Sequence, residues 1–322
     1  MSIVQAQSDQ APVRAEKSLP KKRKSAARQN VKEYLVGYLF LLPWFIGLFA
    51  LTLGPIVGSL YLSFTSYDIL SAPQWIGIRN FIDMFFDMHF LNAIYVTILY
   101  VVLSVPLKLA VALLIAVALN RGLRGLALYR SIYYIPSLVG GSVAIAILWQ
   151  QIFGGDGIVN QGLSLIGIHG MGSWIANPDT AIYTLVILSA WQFGSPMLIF
   201  LAGLRQISQE MYEAASIDGA GRASKFFRIT LPLLSPVIFF NLIMQVIAAF
   251  QAFTPAFIVS SGNGGPYDST LFYTLYIYQQ GFGYYHMGYA SAMAWALLMV
   301  IALFTAISFL SSRYWVFYQD ER

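Results

Sequence analysis

The sequence predicts an all-α membrane protein with six transmembrane helices and both termini in the cytoplasm. Three observations carry this. Hydrophobic residues make up 58% of the 322 residues and charged residues only 10%, against about a quarter charged in a soluble domain. Six apolar stretches are long enough for helices that need about 20 residues to cross a bilayer. The basic residues gather on alternate connecting segments, which orients those helices.

Taken in order, residues 1–30 are polar and basic, and almost free of large apolar side chains. They are expected to form a disordered basic cytoplasmic tail. The run KKRK at 21–24 reads as a topogenic anchor, because a membrane segment follows it directly. Nucleic acid is not an expected partner, since the positive charge forms no patch on a folded domain. No short apolar run with a small-residue cleavage site precedes residue 34, so no cleaved signal peptide is read. Residues 31–322 form the six-span domain.

The first span is expected at Tyr34–Phe64, with Pro43, Gly54 and Pro55 inside it, and the second at Leu91–Leu119, with Pro106 and Lys108 mid-span. The third is Leu126–Phe153, containing Pro136, Gly140 and Gly141, and the fourth Ala181–Leu204. The fifth is Leu233–Ser260 and the sixth Tyr289–Leu310. Spans longer than about 20 residues tilt or protrude, and their prolines and glycines need neighbouring helices to satisfy the freed backbone groups.

With the N-terminus inside, the tail from Arg14 to Lys32, then Arg121, Arg124 and Arg130, then Arg205, Arg222, Lys225 and Arg228, and finally Arg313 and Arg322 all lie inside. Only Arg79 falls outside and Lys108 within a span. The outside loops, about 65–90, 154–180 and 261–288, carry Trp75, Trp174, Tyr267, Tyr284 and Tyr285, read as headgroup anchors. His89, His169 and His286 lack metal-ligand spacing and read as loop residues. Asp83 and Asp87 are spaced i,i+4 and read as a solvated face. There is no cysteine, hence no disulfide or cysteine metal site.

Between spans four and five stands EAASIDGAGRASKFFRITLP, 213–232. Residues 210–215 favour a helix, Ser208 suits its N-cap, and Glu210 suits its dipole. Asp218, Gly219 and Gly221 then break it. Arg222, Lys225 and Arg228 surround Phe226 and Phe227, making a short basic amphipathic segment suited to a membrane surface or a protein groove. Leu231-Pro232 opens the fifth span, with proline acceptable in a first helical turn.

This stretch resembles the EAA loop of the permease subunits of ABC importers: Glu-Ala-Ala, three residues, Gly, nine residues, Ile, one residue, Leu-Pro. Glu213, Ala214, Ala215, Gly219, Ile229, Leu231 and Pro232 match it without departure. The segments 130–153, 191–208, 264–282 and 287–299 resemble permeases of carbohydrate importers, so the likeness covers roughly residues 32–320. No outside loop is long enough for a maltose-type subunit with a large extra domain. The shorter oligosaccharide, alginate and glycerol-phosphate types fit better in size.

The resemblance implies a type I ABC importer permease fold in a bacterial or archaeal inner membrane, with a cytoplasmic coupling loop at 205–232. It implies a second homologous permease, a dimer of ATP-binding cassette subunits and an extracytoplasmic solute-binding protein as partners. ATP and Mg belong on the cassette subunits. This chain is not expected to be an enzyme or to bind a cofactor, and its glycine-rich stretches at 154–155 and 262–265 do not read GxxxxGK[ST].

In the family, substrate contacts come from the spans flanking the loop. The candidates there are Trp191, Gln192 and Ser195 on the fourth span, and Asn241, Gln245 and Phe253 on or beside the fifth. Lys108 joins them as an intramembrane charge. Buried amides and aromatics suit a sugar, yet the same residues can serve as interhelical hydrogen-bonding groups. The implied cargo is a carbohydrate, probing as far as an anionic oligosaccharide such as alginate. The alternatives are a non-sugar solute such as glycerol phosphate, or a self-sufficient secondary transporter. The last is disfavoured because the spans carry no central Asp or Glu.

Overall fold

The computed structural model describes residues 24–120, 125–170 and 172–317. Residues 1–23 of the basic tail, Arg121, Arg124 and Arg322 lie outside the described residues. The chain falls into two compact units, one ending at Val57 and one beginning at Gly58.

The first unit holds helix α1 (Lys24–Ile46), a π-helical stretch Gly47–Leu53, and the start of α2 (Gly54–Ser63). Helix α1 begins at Lys24, inside the stretch expected to be disordered, because KSAARQNVK is rich in good helix formers. Before Pro55 the N–H of Gly54 donates to the Phe49 carbonyl, five residues back. That widened turn leads into a proline that has no N–H of its own. Phe40, Trp44, Phe49 and Leu51 are exposed, as an apolar helix facing lipid requires.

The second unit continues with a two-residue hairpin, β1 (Thr65–Ser66) antiparallel to β2 (Gln74–Trp75). Helices α3 (Arg79–Asp83), α4 (Met88–Leu119), α5 (Leu126–Val139), α6 (Val143–Ile152) and α7 (Ile158–Leu165) follow. Next come α8 (Pro178–Trp191), α9 (Gly194–Leu204), α10 (Gln209–Ile217) and α11 (Arg222–Lys225). The last are α12 (Leu231–Phe250), α13 (Thr254–Val259), α14 (Tyr273–Tyr278) and α15 (Met287–Trp315).

Among the described residues four stretches are continuous enough to cross a membrane: Val36–Ser63, Met88–Leu119, Ser235–Val259 and Met287–Trp315. Two bent pairs, α5 with α6 and α8 with α9, bring the total to six if each counts as one span. The expected third span therefore exists as two helices meeting at 95°. The bend falls at Gly140-Gly141, after which Ser142 Oγ accepts from the Ile145 N–H and starts α6 afresh. The fourth bends by 43° at Gln192–Phe193. The fifth, Ser235–Val259, counts as one stretch although a turn at 251–253 interrupts it before the short helix Thr254–Val259, whose first turn holds Pro255.

Helix α4 is the centre of the packing, in contact with α8, α9, α12 and α14. Lipid supplies no hydrophobic drive between helices, so small side chains that permit close approach do the work. Ala93, Ala112 and Ala116 of α4 are fully buried. Gly194 opens α9 against the α5 backbone: a Cβ there lies 2.5 Å from the Tyr133 carbonyl oxygen and 2.8 Å from Tyr134 Cα. Gly194→Ala is expected to cost about 1–3 kcal/mol through overpacking. Gly141→Ala, where a Cβ meets nothing within 4 Å, should stay within about 0.5 kcal/mol. Thermal unfolding of the two variants in detergent separates them; equal melting temperatures would refute the close α5–α9 approach.

Candidate functional site

The loop between α9 and α12 folds as its residues dictate. Ser208 caps α10, its Oγ accepting from the Glu210 N–H at 3.3 Å. Helix α10 ends at Ile217, and Gly219 turns the chain at φ +76°. No heavy atom lies within 4 Å of a Cβ placed on Gly219, so the left-handed backbone alone demands glycine. The Ala220 N–H then donates to the Ala215 carbonyl at 2.8 Å.

Glu213 and Ala214 are exposed on α10 and Ala215 is half-buried. Gln209 Nε2 donates to Glu213 Oε1 at 3.0 Å, one turn away. The carboxylate is thus held outward with no cation paired to it among the described residues. The loop's return is a single helical run, α11, a π-helical turn Phe226–Thr230 and α12, with Leu231-Pro232 in the first turn of α12. Tyr212 and Thr230 join their hydroxyls at 2.8 Å and tie α10 to the root of α12. Ile229 is half-buried beside them in sequence.

The candidate path residues divide. Gln192 Nε2 donates to the Gly140 carbonyl at 3.0 Å, Ser137 Oγ donates to the Gln192 carbonyl at 2.9 Å, and the Ser195 N–H donates to Ser137 Oγ at 3.0 Å. These bonds satisfy backbone groups released by the two helix bends. Trp191 packs against Trp149, ring centroids 6.0 Å apart. Phe253 stacks on Phe257 at 5.2 Å and meets Tyr278 at 5.3 Å, in a different aromatic cluster. Asn241 is fully buried; its Nδ2 donates to the Pro196 carbonyl at 3.4 Å, while its Oδ1 has no partner among the described residues. The structure so brings Asn241 to the start of α9, beside Ser195. Gln245 and Lys108 are half-buried, and no hydrogen bond or ion pair engages either side chain among the described residues.

At the other end of α4, a polar network comes together around Asp87, a residue that reads in the sequence as merely solvated. Its Oδ1 accepts from the His89 and Phe90 N–H groups at 3.0 and 3.2 Å, capping α4. Its Oδ2 accepts from the Tyr276 hydroxyl at 2.6 Å and the Tyr289 hydroxyl at 2.9 Å. Gln280 Nε2 donates to the Tyr276 oxygen, and the His286 ring bonds Gln280 Oε1. His89, expected as an isolated loop residue, lies 2.7 Å from Asp268 Oδ2. A cavity of about 620 Å³ opens here, lined by His89, Asn263, Asp268, Tyr276 and Gln279 among others. An aspartate before an apolar helix signals a cap; nothing local could point to tyrosines 189 and 202 positions away.

Burial opposes ionisation of Asp87, but the hydrogen bonds from Tyr276, Tyr289, Phe90 and His89 outweigh it and lower the pKa from the ordinary 3.8. A lowered carboxylate pKa stabilises the fold above the unfolded value, and the stabilisation is lost as pH falls through the folded one. Asp87→Asn is therefore expected to lower the melting temperature in detergent at pH 7 by a few degrees, roughly the effect of losing one charged hydrogen-bond hub. The difference from the native chain should shrink as pH drops below about 4. A difference that persists unchanged at acid pH would sink this assignment.

Bent helix pairs, lipid-facing exteriors and an exposed helix–glycine turn–helix loop define a multi-pass membrane permease. Residues 88–316 match the family of binding-protein-dependent transport system inner membrane components, and the chain belongs to that family. It is 52% identical over 296 residues to the probable ABC transporter permease protein YesP of Bacillus subtilis (strain 168), covering 92% of this chain and 96% of the relative. It is 32% identical to the lactose transport system permease protein LacF of Rhizobium radiobacter, with 90% and 98% covered. To the sn-glycerol-3-phosphate transport system permease protein UgpA of Yersinia pestis it is 33% identical, with 84% and 92% covered.

The fold is shared with a crystal structure of a bacterial ABC transporter involved in the import of the acidic polysaccharide alginate. The TM-score is 0.73 at 22% identity, with 89% of this chain and 98% of that one covered. A bacterial alginate ABC transporter in complex with alginate pentasaccharide-bound periplasmic protein gives 0.76 at 23%, with 88% and 96% covered. The type I importer permease fold expected from the loop is thereby established, and α10 is the EAA helix typical of this family. Membership also removes the self-sufficient secondary transporter.

Proposed function

We propose that this chain is one permease half of an ATP-driven importer of a carbohydrate in a bacterial inner membrane, both termini lying in the cytoplasm. The observation that carries the reading is α10: an exposed Glu213 held outward by Gln209, small Ala214 and Ala215 beside it, and a glycine turn behind. An exposed carboxylate over a small-residue surface is built to enter a cleft with a basic partner. That cleft belongs to an ATP-binding cassette subunit, which brings ATP and Mg.

In this reading a dimer of cassette subunits closes on ATP and moves α10. The single helical run from α11 into α12 carries the motion to the membrane, while a second homologous permease supplies the other half of the path. A solute-binding protein delivers the cargo on the side opposite the EAA loop. Carbohydrate is supported by the lactose permease among the relatives and by the aromatic and amide character of the flanking spans. Gln245, Ser195 Oγ and Lys108 are the groups left to meet a polar solute; Asn241 Oδ1, without a partner among the described residues, is fully buried. Trp191, Gln192 and Phe253 act behind them as helix-joining groups. The glycerol-phosphate permease among the relatives favours a phosphate ester as the second reading, with Lys108 as its counter-charge.

Three outcomes test this. Glu213→Lys should lower uptake at least tenfold by reversing the charge at the docking helix, a close charge pair being worth about 1.5–7 kcal/mol, with membrane insertion unchanged. Unchanged uptake rules out the coupling role. Mild-detergent purification should recover a second EAA-bearing permease and a Walker-motif ATPase; a chain that purifies alone and transports without ATP defeats the proposal. Gln245→Leu should change uptake with assembly intact, whereas loss of assembly alone assigns Gln245 to helix packing.

A further inference from the structure

A cavity of about 510 Å³ lies behind the EAA helix, lined by Val117, Tyr212, Arg222, Lys225, Phe226 and Thr230. Its size falls within the range of small-molecule sites. Two cations line it and no carboxylate does. Neither Arg222 nor Lys225 makes an ion pair among the described residues; Lys225 Nζ donates to Ser216 Oγ. The Tyr212–Thr230 hydroxyl pair adds polar hydrogens, while Val117 and Phe226 give an apolar floor. Such a lining selects a phosphate joined to something greasy.

The depth of the cavity identifies the source. Helices α11 and α12 are joined without a break, and Lys225 precedes Leu231 by six residues, about 9 Å at the helical rise. The apolar stretch that crosses is Ser235–Val259, so Arg228 and Lys225 precede it by seven and ten residues, about 10 and 15 Å at the helical rise, and their long side chains can reach back to a headgroup layer. Phe227, 63% exposed, projects beside them with its ring edge-on to Phe226, the pairing of aromatic and basic groups that seats a helix in an interface. The cavity floor reaches Val117, two residues from the end of α4, a helix long enough to cross the bilayer. We propose that this cavity binds the phosphate of an anionic phospholipid headgroup, making the root of the coupling loop a lipid site.

The test uses the full-length chain with the subunits that accompany it, in nanodiscs of phosphatidylcholine containing 30% phosphatidylglycerol. Native mass spectrometry reads the phosphatidylglycerol retained over phosphatidylcholine. The native chain should retain phosphatidylglycerol preferentially, and the preference should fall as NaCl is raised from 50 to 500 mM. Arg222→Gln with Lys225→Gln should weaken the preference roughly 10- to 30-fold, as two basic groups at an anionic surface imply. Arg222→Lys with Lys225→Arg should restore it, and Arg313→Gln, a basic residue outside the cavity, should leave it unchanged. An undiminished preference in the double glutamine variant overturns the proposal. So does displacement of the bound lipid by 10 mM free glycerol 1-phosphate, which would make this a soluble-phosphate site. Loss of partner subunits at constant lipid preference also overturns it, assigning the cavity to subunit contact. Should the double variant not fold, the salt and glycerol 1-phosphate arms on the native chain still decide.

Discussion

Close packing along α4 is the constraint on which the rest of the second unit depends. A bilayer makes every unpaired backbone group costly and gives helices no hydrophobic reason to associate. What remains is contact at short range, so the helix that touches α8, α9, α12 and α14 carries small residues where they press on it. Its length also sets the distance between the two polar ends. His89 stands at the Asp87 network and Val117 at the cavity behind the EAA helix, about 40 Å apart along one helix.

The helix bends follow from the same constraint. A bend frees carbonyls and N–H groups in a place where water cannot meet them. Gln192, Ser137 and the Ser195 amide close that account between the α5–α6 and α8–α9 bends. The residues that looked in the sequence like a sugar-binding row are therefore partly employed in holding two broken spans together. Asn241 donates through one amide atom to the start of α9, and its other amide atom has no partner among the described residues.

The elements legible in the sequence are those set by composition and by local chemistry. Apolar length located the spans, and Ser208, Gly219 and Leu231-Pro232 marked the start, turn and exit of the coupling loop, because caps, left-handed glycines and first-turn prolines act within a few residues. Composition could not report the 95° angle at Gly140-Gly141, since the same residues suit a straight span with a flexible centre. The Asp87 network was illegible for a related reason. A carboxylate, two tyrosines and a glutamine scattered from 87 to 289 carry no spacing signal until three helices converge.

That convergence restricts how this chain can drift. One oxygen of Asp87 accepts from both Tyr276 and Tyr289. Exchange of the aspartate alone takes the acceptor from two phenols, leaving Tyr276 only its bond from Gln280; exchange of either phenol alone leaves a shielded carboxylate short of a donor. A substitution at 87, 276 or 289 therefore acts on the other two positions, and a change made at one has to suit all three.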